Sequence, residues 1–198
     1  MTIRSSAAAL ASLLALAACG DDDAHGDDHA HTAVGTLASS PDTFIGFVSD
    51  STAVTGYVCD AGDIAYWFQG PVTDGAFEIS MAVGSLSGTL GEEGAIEGSF
   101  TLTGVTTAFS VTPTTGSTSG LWNGGATIGE NDVTAGIIVR DDGQQRGVVS
   151  SRPRGVMAEP MIMPSPMLAP TGMLSVDGIG VIAVDHIVSP RDPIVSPR

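Results

Sequence analysis

Lysine does not occur in this 198-residue chain, and 7 arginines stand against 22 aspartates and glutamates, for a formal charge of -15. A surface so poor in cations repels phosphate backbones and anionic headgroups, which excludes nucleic acid as a partner and electrostatic attachment to a membrane. Cysteine is nearly absent, with Cys19 and Cys59 the only two, so a disulfide-rich scaffold is excluded. No apolar run reaches the roughly 20 residues that a membrane-crossing helix needs. Histidine is missing from residues 43–151, since His25, His29 and His31 precede that stretch and His186 follows it. The stretch therefore lacks the usual general base of nucleophilic catalysis and the usual activator of a cysteine nucleophile.

What is present begins at the N-terminus. "MTIR" carries one basic residue and no acid, and Ser5 to Ala18 uses only Ser, Ala and Leu. A short positive region followed by an apolar segment ending in small residues is the pattern of a secretory signal peptide. Leu16-Ala17-Ala18-Cys19 resembles the lipobox of bacterial lipoproteins, in which small residues precede a cysteine that is lipidated and becomes the mature N-terminus. The resemblance implies that residues 1–18 are removed and that Cys19 carries the acyl chains. It further implies a protein held at the bacterial cell membrane or outer membrane, facing the periplasm or the exterior. Each buried methylene contributes about 0.8 kcal/mol, so two or three acyl chains anchor a chain durably. Loss of Arg4 leaves 6 arginines against 22 acids, a formal charge of -16. With Cys19 acylated, Cys59 in "TGYVCDAGD" is a buried thiol, an intermolecular pair or a reactive site. The apolar stretch before it favours the buried thiol, because free cysteine behaves as a small hydrophobe.

Composition divides the rest. Residues 19–42 are polar, acidic and without periodicity, as in a solvated tether. All ten aromatics fall between Phe44 and Trp122, which places the core in residues 43–151, a common size for one domain. Residues 152–198 hold eight of the eleven prolines, with five of the seven methionines coming after Pro153, and are expected to be a disordered tail. The tail repeats "IVSPR" at Ile187–Arg191 and Ile194–Arg198, too little for a repeat architecture.

Within the middle region the apolar period is two. In "GAIEGSFTLTG", Ile96, Gly98, Phe100 and Leu102 alternate with Glu97, Ser99, Thr101 and Thr103, and in "GAFEISMAVG", Phe77, Ile79, Met81 and Val83 alternate with Glu78, Ser80 and Ala82. Half-buried strands follow. Asp74-Gly75 and Asp142-Gly143 stand where tight hairpins need residues that tolerate positive φ. Nineteen glycines between Phe44 and Ser150 disfavour helices, each costing about 1 kcal/mol relative to alanine. The expectation is an all-β fold: one Gly-rich antiparallel β-sandwich or small barrel of eight to ten short strands, with no long helix. The succession "YVCDAG", "AYWFQGPVTDGAFEIS", "GSLSGTL", "GAIEGSFTL", "AFSV", "GLW" and "AGIIVRDDGQQRGVV" resembles small secreted or lipid-anchored β-domains of high-GC bacteria. That likeness spans Val54 to Val149, concerns turn and strand markers, and carries no catalytic residue across.

Site chemistry is sparse. "GSLSG" and "GSTSG" have the spacing of a nucleophile elbow but centre on Leu86 and Thr118, so neither offers a serine nucleophile. Asp60 and Asp63, near Tyr66 and Trp67, read either as an acid and base pair on a sugar or as turn formers. His25, His29 and His31, with Asp27 and Asp28 beside them, suit Zn(II), Ni(II) or Cu(II), or else serve a solvated spacer. Met157, Met161, Met163, Met167 and Met173 raise the same question for Cu(I). Tyr66, Trp67 and Trp122 either pack in the core or face a carbohydrate ligand. The functional expectation is a lipid-anchored envelope protein whose β-domain binds a protein or carbohydrate partner, or serves a structural purpose, without catalysis and without a cofactor. The alternative is a periplasmic or surface metal-binding lipoprotein that uses the tether.

Overall fold

A computed structural model describes residues 29–155 and 158–195. Among them there is no α-helix; the middle region holds ten strands, within the eight to ten expected, and five more lie on either side of it, for fifteen in all. The first eight are β1 (His31–Leu37), β2 (Ser40–Ser49), β3 (Ala53–Cys59), β4 (Ala65–Pro71), β5 (Ala76–Met81), β6 (Gly84–Leu90), β7 (Ile96–Leu102) and β8 (Val105–Pro113). They form one antiparallel sheet in the order β4-β3-β2-β1-β8-β7-β6-β5. Sequence neighbours pair within β1–β4 and within β5–β8, and β8 returns to β1, with Leu37 opposite Phe109. The sheet therefore curls into a nearly closed up-and-down barrel whose seam lies between β4 and β5.

That seam is bridged at one end by the Asp74-Gly75 hairpin. Asp74 at φ 51° and Gly75 at φ 72° give the two positive φ values of a tight type I′ turn, and Thr73 bridges Ala76. The barrel interior is filled by one side-chain set from all eight strands, including Leu37, Phe47, Phe68, Leu86, Phe100 and Phe109. Phe47 stacks on Phe109 at 5.3 Å and Phe68 meets Phe100 edge-on at 5.9 Å. The alternation in β5 and β7 holds, with Phe77 and Phe100 buried and Glu78 and Glu97 exposed. Val83 departs from it: β5 ends at Met81, and Val83 lies 41 % exposed in the turn before β6.

Strands β9 (Gly120–Ile128), β10 (Asn131–Val139), β11 (Gln145–Pro153), β12 (Met161–Pro164) and β15 (Asp185–His186) make a second sheet, ordered β12-β11-β10-β9-β15. One face of it lies on the outside of β1–β4, where Val34, Phe44, Val48, Tyr57 and Cys59 meet Leu121, Ile138 and Val148. Gly136 makes this approach possible, since a Cβ there would stand 2.8 Å from the Tyr57 ring. The other face is covered by the hairpin of β13 (Met173–Val176) and β14 (Gly180–Ala183), whose Leu174, Val176 and Ile182 pack on Trp122, Ile137 and Val149.

Two of the expected boundaries move. The folded region starts at His31 rather than residue 43, because β1 occupies the place between β2 and β8, and Ala33 and Leu37 enter the core. Residues 31–42 of the expected tether thus belong to the fold. The supposedly disordered residues 152–198 contribute β12–β15 and a buried hairpin. Their prolines fall mostly between the strands, while Leu174, Val176, Ile182 and Val184 alternate inward about an Asp177-Gly178 turn, the same period-two signal that marks β5 and β7. Residues 43–151 are therefore not a self-contained unit.

Candidate functional site

Each sequence-derived candidate has a defined place, save those outside the described residues, which are Cys19, His25, Asp27, Asp28 and Met157. His29 is exposed, whereas His31 sits in β1 opposite Ser49 with its ring against Gly94. The two described tether histidines thus stand in different environments, one free and one fixed in the sheet. Among the described residues, no three histidine, cysteine, aspartate or glutamate side chains gather into a group that would hold a metal ion. The described methionines among those offered for Cu(I) are spread over β12, the connection after it and β13, where Met161, Met167 and Met173 are exposed and Met163 packs on the core of the second sheet.

The aromatics offered for sugar stacking are turned inward. Trp122 is 8 % exposed, stacks on His186 at 4.7 Å and donates its indole N–H to Thr118 O. Trp67 stacks on buried Tyr57 at 4.2 Å, and the slot beside it, between Ala65, Thr134 and Val148, holds about 40 Å³. Ligand pockets run to several hundred Å³, so this slot does not admit a sugar ring. Tyr66 packs on the barrel core. Each ring of the ligand-facing reading thus packs on a core: Tyr66 on the barrel interior, and Trp67 and Trp122 on the two faces of the second sheet.

Asp60 acts as a turn former, with Oδ1 accepting the N–H groups of Gly62 and Ile64 at 2.7 and 3.0 Å. Cys59 is wholly buried and unpaired, burial raises its pKa, and its sulfur accepts the N–H of Ala61. Burial likewise pushes the Tyr57 hydroxyl well above its ordinary range, and that hydroxyl donates to Gly136 O at 3.3 Å. His186 is engaged by the Trp122 ring and by Ser119 O at 3.0 Å.

Two further carboxylates are depressed in pKa. Burial of Asp50 opposes ionisation, but hydrogen bonds from Arg191, Thr52 and Ala53 outweigh it and hold the group at about 2. Asp141, in the β10–β11 turn, is also lowered to about 2, chiefly by the Ser119 hydroxyl and the Thr115 N–H. Both tie loops together: Asp50 joins the β2–β3 turn to Arg191, and Asp141 joins the β10–β11 turn to the β8–β9 connection. Aspartates before small residues read as ordinary turns in the sequence, and only the fold reveals their distant partners.

A further concavity lies elsewhere, on the outside of β5–β7. It is a shallow groove of about 660 Å³ lined by Thr73, Glu78, Ser87, Thr89, Glu97 and Ser99. The registers explain its chemistry. Glu78, Ser87, Ser99 and Ala108 form one row across the strands; Ala76, Thr89, Glu97 and Ser110 form a second; Ser80, Ser85, Thr101 and Thr106 form a third. All twelve positions carry Ser, Thr, Ala or Glu, and Ser87 and Thr101 pair with Ser99 and Thr106 through their hydroxyls. From Thr32 to Val139 the chain has no lysine, arginine or histidine, so this face is hydroxyl-rich and anionic. It offers hydrogen bonds and negative charge.

Comparison with protein-family models, with curated proteins and with solved structures yields no match, so function is argued from the chain's own residues.

Proposed function

We propose that this chain is a lipid-anchored protein of the bacterial cell envelope, whose β-domain acts as a binding or structural module without catalysis. The observation that carries the reading is Leu16-Ala17-Ala18-Cys19 at the end of the Ser/Ala/Leu run. The fold adds a distance to it. β1 begins at His31, twelve residues after Cys19, so a fully extended connection spans at most about 40 Å. The barrel is thereby held close to the membrane, and an acidic tether keeps it solvated.

The non-catalytic part is supported by the engagement of the reactive groups. Cys59 is buried, His186 is stacked, and Asp50, Asp60 and Asp141 accept structural hydrogen bonds. The hydroxyl-rich groove of β5–β7 is the surface left for a partner. The test is acylation and fractionation of wild type and Cys19→Ser. Wild type yields an acylated N-terminal peptide by mass spectrometry and sediments with membranes, and the variant moves to the soluble fraction. Membrane association unchanged in the variant contradicts the proposal.

A further inference from the structure

The segment after β15 is bound to the rest of the molecule in the manner of a ligand. Residues 187–195 run through a cleft between the outside of β2–β4 and strands β9–β10. A single backbone hydrogen bond, Ile187 N–H to Leu121 O at 2.9 Å, ties them to the body. Most of the other bonds join side chains of the cleft to main-chain atoms of the segment. Thr55, wholly buried, donates to Pro190 O at 2.7 Å. Gln69 donates to Asp192 O at 3.1 Å. Asn123, 3 % exposed, takes both main-chain groups of Val195, donating to its O at 3.0 Å and accepting from its N–H at 2.7 Å. An amide that pairs with the N–H and the C=O of one residue recognises extended backbone irrespective of side chain. Sequence preference comes from Arg191, which bonds Asp50 and Thr52, and from Ile187 and Ile194, which both enter the cluster of Tyr57, Leu121 and Ile138.

The duplicated pentamer acquires a meaning here. Ile187 opens the first "IVSPR" and Ile194 the second, and in both the isoleucine is turned inward while Val188 and Val195 are exposed at 63 % and 44 %. The groups that the cleft reads, an isoleucine anchor, a proline carbonyl and an arginine, are thus encoded twice. We propose that the cleft is a peptide-binding groove, occupied in this structure by the chain's own segment and able to accept the same segment of a second copy. The copies would associate by exchanging these segments. The seat is suited to exchange because few side chains hold it. Only Ile187 and Pro190 of the nine residues are fully buried, and segments with few buried apolar contacts open at low free-energy cost.

The test uses the full chain and a fluorescent peptide of residues 187–198. Arg191→Glu weakens the resident segment while leaving Asp50, Thr52, Thr55 and Asn123 to receive the peptide. Since bound peptide must compete with the resident segment, Arg191→Glu binds it about tenfold or more tighter than wild type. Thr55→Val, a near-isosteric change added to Arg191→Glu, removes that gain, and a peptide with both isoleucines changed to serine fails to bind. Circular dichroism confirms that each variant retains its β spectrum. Sedimentation of the wild-type chain shows a concentration-dependent dimer that excess peptide dissolves. Equal binding by wild type and Arg191→Glu, undiminished binding of the serine peptide, or a monomer at every concentration overturns the proposal.

Discussion

β2 and β5 belong to one barrel, yet β2 is buried on both faces from Thr43 to Ser49 while β5 alternates buried and exposed positions. The contrast extends to the two halves. Outside β1–β4 lie Val34, Phe44, Val48, Tyr57 and Trp67, and a second sheet covers them. Outside β5–β8 lie serines, threonines, two alanines and two glutamates, and nothing among the described residues covers them. Which half becomes a protein core and which remains a surface is thus decided by the residues at every second position. Apolar outward positions recruit further layers, and hydroxyl-bearing ones stay hydrated at little cost.

The largest effect that would break this comparison lies farthest from the barrel. Leu174→Ala removes a fully buried side chain of the outer hairpin and should cost about 2–5 kcal/mol in denaturant unfolding. No change in midpoint would mean that the tail is not part of the fold. Next comes Gly136→Val, which places a branched side chain where even a Cβ meets the Tyr57 ring. Overpacking of this kind costs about 1–3 kcal/mol, and a neutral result in thermal melts would mean that the sheets are not in contact there.

Acid supplies a smaller effect. Asp50 has a folded pKa below its ordinary value of 3.8, at about 2, so its contribution is complete above pH 4 and fades as pH falls toward 2. Asp50→Asn should therefore lower stability at pH 6 and flatten the loss between pH 4 and 2, as read by chemical denaturation across that range. If variant and wild type lose stability in parallel, the Arg191 contact is not formed. The smallest effect is on the bare half, where Ser87→Ala should fall within about 0.5 kcal/mol of wild type. A large loss there would show that this face is covered after all.

The legible part of the fold was the half with a solvated face. Period-two alternation in "GAIEGSFTL" and "GAFEISM" and the Asp-Gly turn at residue 74 read directly as strands and hairpin. The covered half was harder to read because strands buried on both faces lose their alternation. "TFIGFVS" and "VTGYVC" are continuous runs that betray a further layer, and composition hid its outer part, since the prolines of residues 152–198 masked Leu174, Val176, Ile182 and Val184. The site was less legible still. Asn123 sits in "GLWNGG" as an ordinary polar residue, and its pairing with Val195, 72 positions away, has no local signal. Tyr66, Trp67 and Trp122 admit two senses in the sequence, core packing or ligand stacking, and only the layering shows what each ring packs on.

Hydrogen–deuterium exchange of the full chain tests the central claim most directly, because it compares the tail with the sheets it is said to complete. In this fold β13 and β14 pair with each other and bury Leu174, Val176 and Ile182 against β9–β11, so peptides from residues 173–184 should be protected to a degree similar to β10. Exchange of those peptides within seconds, while β10 remains protected, would contradict the layered fold and return residues 152–198 to a disordered tail.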